Sequence, residues 1–329
     1  MKLSYAQNLE DYHLDLIFPD STGTYVDVGG GHPVADNVSF WSYLKGWRGL
    51  VIEPQETLAA GYAGIRPRDH VFCGLAGRCD GEVDFHQVEG LHGLSSMVAA
   101  NADRARQLSA AVRTSRKPMR RLSRLIDEAG LEEIDFLKID VEGAEADVLA
   151  GLDLSRHRPQ VIVVEAVNPD NPGADVSAWE PALIEAHYEF ALFDGLNRFY
   201  VAAERPRLRT RFPTAPSDWH VVAHLWDCGR VGASREHPDR RLAEILAAGL
   251  YAELPTLPHD LLHRLVSRGL LALRESGDAD GARALRGTAE YPRSEPASAS
   301  DLDQFLASDR FRAALGRIAC MYDGGHIVE

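Results

Sequence analysis

Residues 24–54, TYVDVGGGHPVADNVSFWSYLKGWRGLVIEP, narrow the choice of fold more than any other part of the chain. The segment opens on a short apolar run, Tyr25-Val26-Asp27-Val28, breaks at Gly29-Gly30-Gly31, and returns to Leu50-Val51-Ile52, closed by Glu53-Pro54. Short apolar runs bounded by glycine and proline read as strands. Val34, Val38, Phe40, Trp41, Tyr43 and Leu44 lie between them and predict a helix, entered at His32-Pro33 and stopped near Gly46. Strand, glycine turn, helix, strand is half of a nucleotide-binding α/β domain. Successive glycines let the backbone turn tightly and approach a ligand with no side chain in the way. Glu53, at the tip of the second strand, is placed to accept hydrogen bonds from both hydroxyls of a ribose. Asp27 is a charge inside an apolar run and needs a partner, either the amides of the turn or a cationic part of the ligand.

A second stretch points to the same edge. In IDFLKIDVEGAEADVLAGL, residues 134–152, Phe136-Leu137-Lys138-Ile139 predicts a strand, with Asp140, Glu142 and Gly143 at its carboxyl end and a helix after Ala144. Residues 159–167, PQVIVVEAV, form a continuous apolar run that suits a buried parallel strand and ends in Glu165. Open α/β sheets bind ligands beyond the carboxyl ends of their strands, so these three acids are expected beside the glycine turn. Neighbouring carboxylates can hold a divalent metal or act as a general base. For Glu142 the alternative is a cap on the following helix.

The remaining expectations are coarser. Residues 8–18 predict a short amphipathic helix with a dense polar edge of Gln7, Asn8, Glu10 and Asp11, either a solvated face or a lid. Residues 70–76 predict a third strand, 81–88 an exposed antiparallel strand, 99–117 a polar helix or loop, and 119–129 an amphipathic helix. Residues 90–97, GLHGLSSM, read as a flexible loop. Residues 188–193 and 198–202 predict an antiparallel pair joined by Asp194-Gly195-Leu196-Asn197.

Taken together, the motifs resemble the FkbM family of S-adenosylmethionine-dependent methyltransferases. The matching pieces, in order, are Tyr5-Ala6-Gln7-Asn8-Leu9-Glu10-Asp11, YVDVGGGHP, GWRGLVIEP, the GLSS loop, IDFLKIDVEGAE, RPQVIVVEA and FDGLNRFYV, which cover residues 5–201. Family members often carry Ala or Gly and then Asn before the His-Pro pair; here Gly30-Gly31 precedes His32. The resemblance implies an α/β fold with a Rossmann-like seven-stranded sheet, mostly parallel with the last strand antiparallel. It also implies S-adenosyl-L-methionine as cofactor and O-methyl transfer to a hydroxyl, of a sugar or glycan foremost and otherwise of a macrolide or other natural product. Asp27, Gly29 and Gly31 would then hold the methionine end of the cofactor, Glu53 its ribose, and Gly74-Leu75 would lie near adenine. Gln7, Gly30, Pro54 and Ser95 complete the implied cofactor set. Asp140 and Glu165 stand where related sugar methyltransferases place acidic ligands for a divalent metal such as magnesium. Asp140 and Glu142 are the candidate catalytic acids, with His32 or His92 as the alternative base.

Two rival readings start from the same residues. A dinucleotide-dependent oxidoreductase shares the strand, turn and Glu53, but GGGHPV keeps only the first two glycines of GxGxxG and has Val34 in the third place. A non-catalytic scaffold need not keep acids at three strand ends. The net charge of −14 argues against a general nucleic-acid partner, since phosphate neutralisation needs a basic surface. Cys73, Cys79, Cys228 and Cys320 have no metal-ligand spacing and read as reduced thiols. The N-terminus lacks the basic-then-apolar pattern of a secretion signal, and no apolar run approaches the ~20 residues of a membrane span, so a cytoplasmic location is expected. The domain expectation is a methyltransferase-like domain over 1–204 and a mostly helical extension over 205–329. That extension would serve substrate binding or homo-oligomerisation, or only cover apolar surface.

Overall fold

The structure, a computed structural model, describes residues 2–19, 21–88, 95–98, 111–167 and 176–258, with isolated positions at 101, 103, 106, 107, 261, 264, 309, 313, 322, 323, 326 and 327. The chain divides into two compact units, Met1–Asp227 and Cys228–Glu329.

In chain order the first unit contains β1 (Leu3–Ser4), α1 (Glu10–Ile17), β2 (Thr24–Val28), α2 (Phe40–Leu44), β3 (Arg48–Ile52), α3 (Glu56–Ile65), β4 (His70–Phe72), β5 (Leu75–Gly77), β6 (Gly81–Val88) and β7 (Val112–Arg121). It continues with α4 (Leu122–Ala129), β8 (Phe136–Ile139), α5 (Glu145–Ala150), β9 (Val161–Glu165), α6 (Glu180–Glu185), β10 (Tyr188–Phe193), β11 (Asn197–Ala202) and, near its end, β12 (Ala223–His224). Seven strands form one mixed sheet in the order β10-β11-β9-β8-β2-β3-β4. From β4 to β9 every pairing is parallel; β11 runs antiparallel to both β9 and β10. All seven strands are short, and their apolar residues alternate between two faces as the strand period requires. Val26, Val28, Leu137, Ile139, Ile162 and Val164 pack on one face with Leu122 and Ile126 of α4, Val148 of α5 and Leu183 of α6. Tyr25, Val51, Phe136, Val163 and Phe199 pack on the other with Leu14 and Ile17 of α1, Trp47 and Tyr62. Asp27 falls on this second face, and its register partners are Val51 and Lys138.

Several local expectations are corrected. The helix expected over 34–44 is confined to Phe40–Leu44, and residues 32–39 form a loop in which Asp36 has φ +48°. The reason is Asn37: its side-chain amide donates to the carbonyls of Gly30 (2.8 Å) and His32 (3.1 Å), and its Oδ1 accepts from the Ser39 N–H. Local side-chain bonds of this kind compete with the helical ladder. The single strand expected at 70–76 is two: β4 ends the main sheet, and β5 joins a separate three-stranded sheet, β5-β7-β6. Residues 112–121, expected as polar helix or loop and then the start of a helix, are the strand β7, paired with β6 from Gly81↔Met119 to Val88↔Val112. Its cationic side chains mask the strand signal because most of the strand stands at the surface. Of the polar edge of the N-terminal helix, Gln7 is exposed and Asn8 half-buried, but the two acids are not solvated. Glu10 and Asp11 are buried, and the Asp11 carboxylate accepts from Ser4 Oγ (2.7 Å) and from the N–H groups of Tyr5 (2.7 Å) and Tyr12 (2.8 Å).

The Arg- and Pro-rich segment after residue 204 runs as an arm over the first unit. Phe212 enters the core, Ser217 N–H donates to His13 Nε2 (3.1 Å), and β12 pairs in parallel with β1. In the second unit the described elements are a helix at Arg240–Glu253, a short 3₁₀ turn at Leu254–Thr256 and a small pairing of Tyr322–Asp323 with His326–Ile327. The helices expected further along the tail lie largely outside the described residues. Among the described residues, no helix is long and apolar enough to cross a membrane.

Candidate active site

The chain leaves β2 through two glycines with left-handed backbone, Gly29 (φ +78°) and Gly31 (φ +58°). The N–H groups of Gly29 and Gly30 both donate to Ile52 O (3.0 and 3.1 Å), which folds the turn over the end of β3. A Cβ on Gly29 would lie 1.8 Å from the Asp140 carbonyl oxygen, so only glycine lets this turn rest on the exit of β8. A Cβ on Gly31 would meet nothing within 4 Å. That residue faces open space. Beside it, the buried Glu53 carboxylate accepts from Gly31 N–H on Oε2 (2.8 Å) and from Gln55 N–H on Oε1 (2.8 Å). Burial pushes the Glu53 pKa up to about 7, against the pull of those two N–H donors. Each carboxylate oxygen has a second lone pair, so both can still accept from a ligand hydroxyl. Glu53 N–H donates to Phe72 O (3.1 Å), which brings the end of β4, and with it Gly74 and Leu75, next to the tip of β3.

The acids lie one and two strands away. Asp140 N–H donates to Val28 O (3.0 Å), fixing the exit of β8 against the end of β2. Asp140, Glu142 and Glu165 each offer a carboxylate oxygen within 4.8 Å of the others. Glu142 has the unusual φ of +55°, and its carbonyl is held by Ser96 Oγ (2.9 Å) and Asn101 Nδ2 (2.7 Å). Strain of this kind costs on the order of 1–3 kcal/mol and collects at functional sites. Burial first, and then the charges of Asp140 and Glu145, push the Glu142 pKa up to about 9; burial, Asp140 and Glu142 push Glu165 up to about 11. The carboxylate that meets the turn amides ahead of α5 is Glu145, which accepts from Gly143 N–H (3.0 Å). A buried cation stands behind the acids. Lys138 Nζ donates to Gly29 O (2.7 Å) and lies 3.2 Å from Asp140 Oδ2 and 3.6 Å from Asp27 Oδ1. Burial pulls the pKa of this ammonium down, but Asp140 and Asp27 hold it above the ordinary lysine value.

A glycine turn with an acid at the tip of the next strand, and more acids at neighbouring strand ends, is shared by several enzyme classes; comparison with known proteins separates them. Residues 27–199, which contain every one of these groups, match the methyltransferase FkbM domain. The chain belongs to the FkbM methyltransferase family. It is also 29% identical over 225 residues to the AMB antimetabolite synthetase AmbE of Pseudomonas aeruginosa. That match takes in 63% of this chain and 10% of the synthetase, so the chain spans about a tenth of the length of that curated relative.

Within the FkbM domain and its N-terminal approach, the other candidate residues fall in different places. His32 Nδ1 accepts from the N–H groups of Val34 (3.2 Å) and Ala35 (3.0 Å), so that ring nitrogen braces the turn. His92 lies outside the described residues. Ser95 is buried and its Oγ accepts from Val88 N–H (2.9 Å); its neighbour Ser96 is the one that touches Glu142. Pro54 is buried behind Glu53. Gln7 is exposed, between Ala6, whose carbonyl meets His224 Nε2 (2.6 Å), and Asn8, whose Nδ2 donates to Asp194 O (2.9 Å). Asn197, the register partner of Glu165, also donates to Glu10 (2.7 Å), so the N-terminal segment walls the acid cluster on the β11 side. The sequence reading missed Lys138, Ser96, Asn101 and Arg66 as contributors. For Lys138 there was a signal: a charge inside FLKI, like Asp27 inside YVDV, is an unpaired ion in a buried strand unless the two meet.

Proposed function

We propose that this FkbM methyltransferase takes its methyl group from S-adenosylmethionine and delivers it to a hydroxyl oxygen, of a sugar or glycan foremost. The parallel run from β4 to β9 with an antiparallel hairpin on one edge is read as a Rossmann-like sheet, with the cofactor across the carboxyl ends of β2 and β3. One observation carries the reading: Asp140, Glu142 and Glu165 converge beside a glycine turn that opens into free space at Gly31 and carries a buried acid at Glu53.

In this reading Asp27, Gly29 and Gly31 hold the methionine end, Glu53 the ribose, and Gly74 and Leu75 the adenine. The bound cofactor supplies an electrophilic methyl carbon. The protein must align an acceptor oxygen with it and take the hydroxyl proton. Asp140 is the group we assign to that proton, because its side chain stands in the carboxylate trio with Lys138 Nζ 3.2 Å from its Oδ2, and because His32 spends its Nδ1 on backbone N–H groups. The carboxylate trio also fits a hard divalent cation such as magnesium. Its donors are all oxygens, and burial first, then mutual repulsion, has pushed up the pKa of two of them; a cation would relieve that repulsion. Such an ion would lower the pKa of the acceptor hydroxyl and orient adjacent oxygens.

The match to part of an antimetabolite synthetase favours a second acceptor class, the hydroxyl of a small natural product. The cofactor assignment is tested by thermal unfolding with S-adenosylmethionine, S-adenosylhomocysteine and NAD. Either adenosyl compound, at a hundredfold excess over its Kd, should raise Tm by roughly 5–10 °C. Stabilisation by NAD alone would remove the methyltransferase chemistry, and no shift with any of the three would favour a scaffold.

A further inference from the structure

Behind the glycine turn lies a buried arginine that the reaction does not use directly. Arg66 follows α3, and its side chain is fully buried. A guanidinium has five N–H donors in a fixed plane, and here all five are taken up. Nε donates to Asp69 Oδ2 (2.7 Å), Nη1 to Asn37 Oδ1 (2.8 Å) and Pro33 O (3.3 Å), and Nη2 to Tyr25 Oη (2.8 Å) and Ser39 Oγ (2.8 Å). Three of those five acceptors belong to the 32–39 loop that follows the turn. Each of the two side chains passes the constraint on. Asn37 donates to Gly30 O, whose carbonyl also accepts from Tyr62 Oη (2.8 Å). Ser39 Oγ, receiving from Arg66, donates its own proton to Asp27 Oδ2 (2.5 Å).

The effect on Asp27 is asymmetric. Oδ2 is pinned by Ser39, while Oδ1 is buried and receives no hydrogen bond; the nearest charge is Lys138 Nζ at 3.6 Å. A buried carboxylate oxygen without a donor costs free energy, and native proteins keep few of them. One that persists, at the base of a turn built for close approach, is an acceptor waiting for a donor. We propose that Arg66 is a positioning residue for cofactor binding: through Ser39 it holds Asp27 so that Oδ1 stays open to the cationic amino-acid end of the cofactor, and through Asn37 it presets the turn that end must enter. The inference rests on the cofactor reading given above. A lysine could not replace Arg66, since an ammonium has three donors and no planar fork to span Asn37, Ser39 and Asp69 at once.

The test compares two ligands that differ only at the end in question. S-adenosylhomocysteine carries the amino-acid moiety; 5′-methylthioadenosine shares the adenine, ribose and thioether but lacks it. Affinities are measured by calorimetry on the whole chain for the native protein, Ser39→Ala, Asn37→Ala and Arg66→Met. Ser39→Ala is expected to weaken S-adenosylhomocysteine about tenfold and leave methylthioadenosine within twofold. Arg66→Met should show the same selectivity if it folds; Ser39→Ala, which keeps the arginine, decides the matter if it does not. Equal loss for both ligands would make the network a fold support only, and no loss for either would remove its role; either result overturns the proposal. A native protein that binds neither ligand defeats the cofactor reading itself, an outcome distinct from any result with the variants.

Discussion

Asp140→Asn is expected to lower turnover at least a thousandfold while leaving the affinity for S-adenosylhomocysteine within about threefold. The substitution keeps the shape of the side chain and removes its charge; the Asp140 backbone N–H still holds Val28 O, and Lys138 keeps Gly29 O and Asp27 as partners. The Gly31 opening and Glu53 are untouched, so the cofactor should still bind. What is lost is the group assigned to the hydroxyl proton, and with it one of the three negative charges of the carboxylate trio. General base catalysis is worth about 10²–10⁴ in rate, and an effect on turnover without an effect on binding marks an interaction made in the transition state. Calorimetry and single-turnover methyl transfer on one preparation measure both quantities. Full activity in the variant would remove Asp140 from the mechanism, and joint loss of binding and turnover would move it into the cofactor pocket.

Gly29→Ala should be the most damaging small substitution in the glycine turn. Its Cβ would sit 1.8 Å from the Asp140 carbonyl oxygen, with φ at +78°. The obstacle is backbone, which cannot swing aside as a side chain does, so β2 and β8 must part. Strain and overpacking together should cost on the order of 3 kcal/mol, which is roughly 6–12 °C in Tm. Gly31→Ala makes the informative contrast. Its Cβ meets no protein atom within 4 Å, so stability should fall only by the cost of the left-handed φ, about 1 kcal/mol. Yet that Cβ would point into the space assigned to the ligand, and S-adenosylhomocysteine binding should be lost. A Gly31→Ala protein that binds as tightly as the native one would show that the ligand lies elsewhere.

Much of this site could be read from the chain itself, because its signals are local. An apolar run broken by three glycines specifies a turn, and an acid at the end of an apolar run specifies a strand tip; Asp27, Glu53, Asp140 and Glu165 all fall where such patterns place them. The parts that escaped are those set by contacts distant in sequence. Arg66 and Asp69 follow a helix with no motif of their own, and only the fold brings them under Tyr25 and Ser39. Lys138 reads as one polar residue in a strand until the parallel register sets it opposite Asp27. Residues 32–39 carry a helix-like apolar spacing, yet Asn37 turns them into a loop with side-chain bonds that no periodicity reports. The strand Val112–Arg121 was hidden by its charges, because a strand in a small surface sheet needs little apolar content. Within the acid cluster, the sequence supplies three acids, but not the strained backbone of Glu142 or its restraint by Ser96 and Asn101.

On the proposed reading, this FkbM methyltransferase moves a methyl group from sulfur to a hydroxyl oxygen at the carboxylate trio. Transfer from methyl-labelled S-adenosylmethionine to a panel of glycosides and small natural-product alcohols, with magnesium and again with a chelator, tests it most directly. The expected result is label in an ether methyl of one acceptor class, reduced when the chelator removes the ion. Label appearing on nitrogen, carbon or sulfur of an acceptor, with none on oxygen across the panel, would contradict it.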